Sequence, residues 1–415
     1  MKILTISADC PPHHSGGYGI RIKNIMDGLA ERRHEIFIIT NKPSGSKHKD
    51  QKAAQYPVYR ILHNNYGVRS FFKEICRDVI DVNRIDGVVR RFQPDLIYLG
   101  HIYPLTKQLM PYLSSLNLPI VCDEGGNSLK GAWTDHGRWY RFTGDYQPRF
   151  RCMNHLKPLI VSIVGFLSGG RIGKDWAWPR NLSAIFNSRK NQSSVFSLGV
   201  PFRRSQVFYS GIGIEKFTFQ QREAFLPPPL KIICPGRIEP SKGQLDAVRL
   251  ITALREQGVF AELILVGKVV SEEYGKQILA ETRQYSLDEQ VQILPMISQE
   301  DLVKFYRKSE ICFFPSYQEL GLSRIPLEAM ACGCIVISYG NEGSDEIITD
   351  SENGFLVAPG DIDQVAQLLG SLLFSPPVVQ DICSKARKDV TEKYSLPGYI
   401  DKIESLIQQA FEERY

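Results

Sequence analysis

Apolar and polar positions along the first forty residues follow the pattern of a strand, a loop, a helix and a second strand. KILTIS is typical of a buried strand, the glycine-rich segment DCPPHHSGGYG of a loop, and EIFIIT of the next strand. Between the strands, apolar residues recur at helical spacing: Ile22, Ile25, Met26, Leu29 and Ala30. The segment is therefore predicted to form a βαβ unit.

The same pattern returns in the second half of the chain. LKIICPG, at residues 230–236, predicts a strand, RIEPSKG a loop, residues 244–257 a helix, and ELILVG the returning strand. VQIL, SQEDLVKFYRKS and ICFFPS continue the alternation, and Ser298 with Asp301 has the spacing of a helix N-terminus. We predict an α/β protein with two Rossmann-like, doubly wound parallel-sheet domains that face each other across a cleft.

The periodicity is lost over residues 215–229, which end in three prolines, so the domain boundary is predicted there. We expect an N-terminal domain over 1–214, with a basic, tryptophan-rich insert at about 131–190. A C-terminal domain follows over 215–395. A helix near 396–415 could pack on either half.

Composition excludes the disordered and fibrous classes. A chain of 415 residues with 43% hydrophobic content can bury a large core. The nine cysteines are scattered and odd in number, which is typical of reduced core residues, and we predict no metal site. Without a signal-peptide pattern at Met1 the expected location is the cytoplasm. The longest uncharged apolar stretch, residues 158–170, is shorter than the ~20 residues that a membrane helix needs.

The net charge of +5 is mild, but the basic residues are unevenly placed. Ten Lys and Arg lie between Arg138 and Lys190, against only Asp145 and Asp175, and all four tryptophans fall in the same insert. Such a segment could contact an anionic membrane surface peripherally, at the inner face. A solvated basic face or an acidic glycan acceptor explains the same charges. We expect no nucleic-acid partner.

Two loops have the composition of phosphate-binding segments. Gly16 and Gly17 open a helix directly after the first strand, where backbone amides can face a phosphate. No acid follows the second strand to hold a ribose, which argues against a dehydrogenase, and a turn needed only for packing stays open. In the second half Arg237 and Lys242 lie on one strand-to-helix loop, where they either grip a diphosphate or are solvated.

The segment ELGLSRIPLEAMACG sets two acids around a glycine turn and a helix N-terminus. Glu319 could reach sugar hydroxyls, and Glu328, one turn into the helix, a ribose diol. The amides of Gly321, Leu322 and Ser323 would face a phosphate at the positive end of the helix. The plainer alternative is that Glu328 only complements the helix dipole.

Several segments together resemble the retaining glycosyltransferases of family 4, which have the GT-B fold of two Rossmann-like domains. The similar segments, which run in the family's order from the N-terminus to about residue 361, are PPHHSGGYGIRIKNIMDGLAERRHEIFIIT, VFYSGIGIEKF, PGRIEPSKG, FFPSYQELGLSRIPLEAMACGCIVIS and ENGFLVAPGD. The resemblance also implies that the C-terminal helix crosses back to the N-terminal domain.

The resemblance implies an enzyme that moves a sugar from a UDP-, GDP- or ADP-sugar to a glycan or lipid-linked acceptor. The route would be the front-face one, without metal or cofactor. It assigns the diphosphate to Gly16, Gly17, Arg237 and Lys242. It assigns the ribose to Glu328 and the transferred sugar to Glu319.

The chain departs from the family pattern at two places. Eight residues instead of seven separate Glu319 from Glu328, which puts Leu320 at the acid's position, so either the loop bulges or the role of Glu319 is lost. Asp123 and Glu124 stand near the place of a usual histidine, and the nearest upstream histidine is His101. These three residues are candidates for the acceptor and sugar side, and a structural role for His101 stays open.

Two other functions are compatible with the sequence. A sugar-nucleotide epimerase or hydrolase on the same fold would share the phosphate grip and need no acceptor. A catalytically silent nucleotide-sugar-binding subunit would explain the shifted acid and the missing histidine.

Overall fold

The computed structural model describes most of the chain: residues 1–13, 17–42, 55–65, 67–144, 151–221 and 228–413, without the side chains of 151–154. Its contacts divide the chain into two compact units. The N-terminal unit comprises Met1–Asn187, Asn191–Phe208 and Ile400–Tyr415, and the C-terminal unit Ser188–Lys190 and Tyr209–Tyr399. The divisions therefore lie a few residues from the boundaries that the sequence suggests.

The N-terminal unit is built on a parallel sheet with helices between its strands. The described strands are β1 (Lys2–Ile6), β2 (Glu35–Asn41), β3 (Val58–Leu62), β4 (Leu96–Leu99), β5 (Ile120–Glu124), β6 (Leu182–Phe186) and β7 (Arg204–Val207). The described helices are α1 (Gly17–Glu31), α2 (Phe71–Phe92), α3 (Leu109–Ser114), α4 (Ser128–Thr134), α5 (Gly137–Thr143), α6 (Arg151–Leu167) and α7 (Arg189–Phe196).

The strands of this sheet lie in the order β3-β2-β1-β4-β5-β6-β7, and all neighbours are parallel. In register, Ile6 of β1 pairs with Ile39 of β2 on one side and with Leu99 of β4 on the other. The strand order therefore reverses between β1 and β4. In sheets of this kind the crevice at the reversal, beyond the carboxyl ends of the strands, is where ligands bind.

Burial explains why these segments form their elements. Strand β4 is buried at every position, as expected for a parallel strand covered by helices on both faces. In α1 the predicted stripe is confirmed at Ile22, Ile25, Met26 and Leu29, while Ala30 is only partly buried. Among the described cysteines, Cys76 is exposed and the others are buried, and none of them forms a disulfide bond.

The C-terminal unit repeats this architecture. Its strands are β8 (Leu230–Pro235), β9 (Ala261–Val266), β10 (Val291–Leu294), β11 (Ile311–Phe314), β12 (Ile335–Ser338) and β13 (Phe355–Leu356). Its helices are α8 (Gln244–Glu256), α9 (Glu272–Gln284), α10 (Gln299–Lys308), α11 (Ile325–Cys332), α12 (Ile362–Leu372) and α13 (Pro376–Lys393). The order β10-β9-β8-β11-β12-β13 is again parallel and reverses between β8 and β11.

The last helix, α14 (Leu396–Glu412), joins the N-terminal unit from Ile400 onwards. Ile400 packs so closely on Gly28 of α1 that a Cβ there would lie 2.2 Å from its side chain. His34 Nε2 lies 2.8 Å from Oε1 of Glu404, which is also on α14.

None of the helices in the described ranges is both long and apolar enough to cross a membrane. The prediction of two Rossmann-like domains is confirmed.

Candidate functional site

The predicted cations of the C-terminal unit lie at the reversal point of its sheet, beyond the end of β8. Lys242 ends a short 3-10 turn, Pro240–Lys242, and Gly243 follows with φ +68°. A Cβ on Gly243 would lie 2.1 Å from the Pro315 carbonyl oxygen, so the turn is seated tightly against the segment after β11. Ser241 reinforces this contact, because its carbonyl accepts the Tyr317 amide at 2.9 Å.

The two cations have different environments. Arg237 is 51% exposed, and its Nη2 lies 2.9 Å from Glu239 Oε1. The side chain of Lys242 is only 10% exposed, and its Nζ lies 2.5 Å from Glu342 Oε1 and 3.2 Å from Gln318 Oε1. An ammonium has three N–H groups, so these contacts leave one for a phosphate oxygen. Arg237 presents a guanidinium that can grip oxygens bidentately.

Glu342 is a residue of this site that the sequence pattern did not single out. Its side chain is 8% exposed, and its Oε2 is buried with no hydrogen-bond partner in the described part of the chain. Its backbone has φ +49°, an uncommon conformation for a residue other than glycine. Its amide donates to the Gln318 carbonyl and its carbonyl accepts from Ser323, both at 3.0 Å. Glu342 therefore joins Lys242 to the loop that carries Glu319.

The loop after β11 presents free backbone donors beside Lys242. The amides of residues 319–322 have no acceptor within the described segments, whereas the Ser323 amide donates to Glu342. Gly321 has φ +107°, which only glycine adopts without strain, so the predicted tight turn is present. Of the three predicted phosphate-facing amides, those of Gly321 and Leu322 are thus open. The Ser323 amide is not, because Glu342 already accepts its hydrogen bond.

The two acids of this loop differ in exposure. Glu319 is exposed at the loop, while Glu328 is buried on the first turn of α11, where Pro326 also lies. Glu328 Oε1 lies 3.2 Å from Arg324 Nη2 and accepts from Gln299 at 3.3 Å. Burial raises the pKa of Glu328, and the neighbouring Arg324 opposes that rise. The ribose role of Glu328 and the sugar role of Glu319 stay predictions.

In the N-terminal unit Gly17 and His101 follow β1 and β4, at the end of the sheet where these two strands terminate. Gly17 is exposed as the first residue of α1, and Gly16 lies outside the described residues. His101 Nδ1 lies 3.0 Å from Asp9 Oδ2, and its ring centroid lies 5.3 Å from that of Tyr18. A carboxylate on Nδ1 fixes the imidazole so that Nε2 can face a ligand.

Asp123 and Glu124 do not support the acceptor role predicted for them, because both are fully buried. Asp123 forms an ion pair with Arg21, which stacks 4.8 Å from the Tyr18 ring centroid. Glu124 accepts backbone amides at the start of α4, from Gly126 at 2.7 Å among others. Burial raises the pKa of both carboxyl groups. Neither acid can reach a ligand as the structure places it.

The insert at 131–190 differs from the predicted aromatic and basic surface. Trp139 is buried in the core, and the other three tryptophans form a cluster with ring centroids 5.1–5.7 Å apart that packs on the core. Several of the cations are paired: Arg138 with Glu74 and Arg171 with Asp86. The large apolar area of tryptophan favours its burial wherever the indole N–H can donate to a carbonyl. Trp133, Trp139 and Trp178 each donate to a backbone carbonyl, whereas Trp176 has no such partner among the described residues.

A metal ligand set is not found in the described residues, which hold no group of three or more His, Cys, Asp or Glu arranged to bind an ion. The absence of a metal requirement remains a prediction.

The described geometry places cations and free amides beyond the strand ends of a doubly wound domain, and sequence comparison defines the class. Residues 215–389 match the family "Glycosyl transferases group 1", and residues 15–157 match "Glycosyltransferase Family 4". Together the two matches cover more than half of the chain. The protein belongs to family 4 of the glycosyltransferases and is a glycosyltransferase enzyme.

Particular relatives agree with this assignment. The chain is 28% identical to an MMP α-(1→4)-mannosyltransferase of Mycolicibacterium hassiacum, over 92% of both chains. It is 23% identical to an uncharacterized glycosyltransferase of Methanocaldococcus jannaschii, over 95% of both. The structure of HepE from Anabaena, solved in complex with UDP, superposes with a TM-score of 0.69 at 17% identity, covering 99% of this chain and 100% of HepE. That similarity shows the GT-B fold.

Proposed function

We propose that the enzyme transfers a sugar from a nucleotide diphosphate donor to a glycan or lipid-linked acceptor, with retention of anomeric configuration and without a metal ion. The observation that carries the proposal is the arrangement beyond β8 and β11. There the one uncommitted N–H of Lys242 lies in the same unit as the open amides of residues 319–322. Ammonium and amide donors of this kind suit an anionic diphosphate.

The chemistry follows from where charge develops. When the bond between the anomeric carbon and the diphosphate breaks, negative charge grows on the leaving phosphate oxygens. Preorganised cations and amides stabilise that charge, which is usually the largest contribution to catalysis. Lys242 is held in place by Gln318 and Glu342, so it loses little freedom when the donor binds. In the front-face route a donor phosphate oxygen takes the acceptor proton.

The nature of the donor has independent support. The complex of HepE with UDP concerns a protein of the same fold, and HepE carries its nucleotide as the diphosphate. We therefore expect UDP-sugars to be tested first, with GDP- and ADP-sugars beside them.

The test is thermal stabilisation by UDP, GDP and ADP, each with and without EDTA, followed by transfer assays with the sugar nucleotide that binds. A ligand present at 100 times its Kd raises stability by about 2.7 kcal/mol, which appears as a higher Tm. We expect one nucleotide to stabilise wild type equally with and without EDTA. In contrast, Arg237→Ala should lose most of that shift while its ligand-free Tm stays unchanged.

Three results would contradict the proposal. A stabilisation that EDTA removes would refute metal independence. Full-rate conversion of the donor with no acceptor present would point instead to an epimerase or hydrolase. Inversion at the anomeric carbon, read by NMR of the product, would refute the retaining route.

A further inference from the structure

We propose that helices α2 and α6 of the N-terminal unit form a docking surface for an anionic phospholipid membrane. The inference goes beyond the sugar-transfer reaction and is independent of the donor site, because it uses no residue assigned to the diphosphate. We call the apolar side chains Phe72, Ile80, Leu156, Leu159, Ile163, Phe166 and Leu167 the α2–α6 face.

Helix α6 contributes an exposed apolar stripe. Its exposed apolar side chains are spaced three, four, three and one residues apart, at Leu156, Leu159, Ile163, Phe166 and Leu167. Residues at this spacing share one side of a helix. Phe166 is 85% exposed, and Val164, on another side of the helix, is buried in the core. The helix is therefore fixed to the unit by one side and presents hydrocarbon on the other.

Helix α2 lies beside α6 and extends the stripe. Asn83 of α2 donates to the Leu167 carbonyl at the end of α6, at 2.9 Å. At the other end, the Phe142 ring contacts both Phe71 of α2, at 5.0 Å between centroids, and Lys157 of α6, 6.0 Å from its Nζ. Phe72 and Ile80 are exposed along this part of α2. The two stripes thus form neighbouring parts of one surface.

The exposed apolar residues are concentrated here. The large exposed hydrophobic residues number 18 in the described part of the chain, and seven of them belong to the α2–α6 face. Singly scattered apolar side chains are normal on a protein surface, whereas a contiguous group marks a binding surface. We therefore expect a binding partner to cover the α2–α6 face.

The positive charge beside the α2–α6 face indicates which kind of partner binds there. Arg69, Lys73 and Arg77 line a surface cavity of ≈ 540 Å³ at the start of α2. The remaining lining residues are all neutral: Asn64, Gly67, Val68 and Ser70. Arg69 and Lys73 are exposed, and neither is paired with an acid of the described chain. Cations around exposed hydrocarbon complement a surface of anionic headgroups over acyl chains.

The same charges disfavour a second copy of the chain. If two α2–α6 faces packed together by a twofold axis, each copy would place its Arg69, Lys73 and Arg77 in the same interface. The 17-residue α6 contains Pro158 and cannot cross a bilayer. It would instead lie in the plane of the headgroups, with its apolar side inserted.

The experiment is flotation of the full chain with vesicles of phosphatidylcholine alone or with added phosphatidylglycerol. We expect wild type to bind the anionic vesicles and not the neutral ones, and to be released by high salt. The double variant Leu159→Ser/Phe166→Ser should lose on the order of tenfold or more in binding, because it removes two inserted side chains. Arg69→Gln/Lys73→Gln should also lose on the order of tenfold.

Matched controls come from the C-terminal unit. Phe374→Ser removes a phenylalanine that is 84% exposed, and Lys308→Gln removes an exposed lysine, and both should bind like wild type. Thermal stabilisation by UDP, measured for all variants, reports the donor site separately. Failure of the membrane proposal and failure of the donor proposal are therefore distinguishable.

Three outcomes would overturn the inference. Wild type could fail to bind anionic vesicles, or the α2–α6 variants could bind as well as Phe374→Ser. The third is a dimer of wild type in analytical ultracentrifugation that Leu159→Ser/Phe166→Ser converts to a monomer, since the face would then be covered by a second copy.

Discussion

The buried pair of Lys242 and Glu342 makes a prediction that separates folding from donor binding. Both side chains are about nine-tenths buried, and Nζ lies 2.5 Å from Oε1. Lys242→Met removes the cation and leaves the Glu342 carboxylate buried without its partner. Glu342→Gln leaves the Lys242 ammonium in the same position. The double variant removes both charges.

The magnitude follows from the cost of an unpaired buried charge. Removing one partner of a buried ion pair costs about 3–5 kcal/mol, while replacing both by neutral groups is often close to neutral. For a unit of this size each kcal/mol lowers Tm by about 2–4 °C. We therefore expect each single variant to melt about 10 °C below wild type, and the double variant to recover most of that loss.

Nucleotide binding should then separate the two single variants. In Glu342→Gln a bound diphosphate supplies the missing negative charge, so UDP or the active nucleotide should raise Tm by more than it does in wild type. In Lys242→Met the nucleotide-induced rise in Tm should be largely lost. Turnover should fall at least about a hundredfold, because the ammonium that donates a hydrogen bond to the leaving phosphate is gone.

Differential scanning fluorimetry of the four proteins, with and without nucleotide, provides the measurement. Strictly additive losses in the double variant would show that the two side chains do not interact, and would refute the reasoning. A nucleotide shift in Lys242→Met equal to that of wild type would remove Lys242 from the donor site.

Two further predictions concern stability. Burial raises the pKa of Asp78 from 3.8 to about 7, although Thr106 donates to its Oδ1 at 2.7 Å. The folded state then keeps a proton that the unfolded state releases. The free energy of unfolding therefore falls by about 4 kcal/mol as the pH rises from ~3.8 to ~7. Asp78→Asn should therefore gain in Tm over wild type at pH 8 and much less at pH 5. Gly243→Ala should lose about 2–4 kcal/mol, because its Cβ would clash with Pro315 and its φ is +68°.

Each of these has a clear control. Equal Tm differences at pH 5 and pH 8 would show that Asp78 does not titrate in this range. Gly258→Ala has a similar φ of +74° and open space around the Cβ, so it isolates the strain from the clash. If Gly243→Ala melts no lower than Gly258→Ala, the contact with Pro315 does not hold the Lys242 turn.

Part of the site could be predicted from the sequence. Gly321 and Pro326 are recognised because a turn with positive φ and the first turn of a helix each favour one residue type. Arg237 and Lys242 follow from their position on a loop after a strand. Asp9, which orients His101, could have been suspected from its place in the loop that follows β1. Glu342 carried no such signal, since its partner Lys242 lies 100 residues away.

The sequence by itself determined the two doubly wound domains, because apolar periodicity of strands and helices is a local property that each segment carries alone. Only the tertiary structure decided which charges are neutralised and which apolar side chains stay exposed. Asp123 and Trp139 are enclosed, while Phe166 projects into solvent, and no local pattern distinguishes them. Burial depends on which distant segments pack around a residue, and long-range packing is decided by the whole chain.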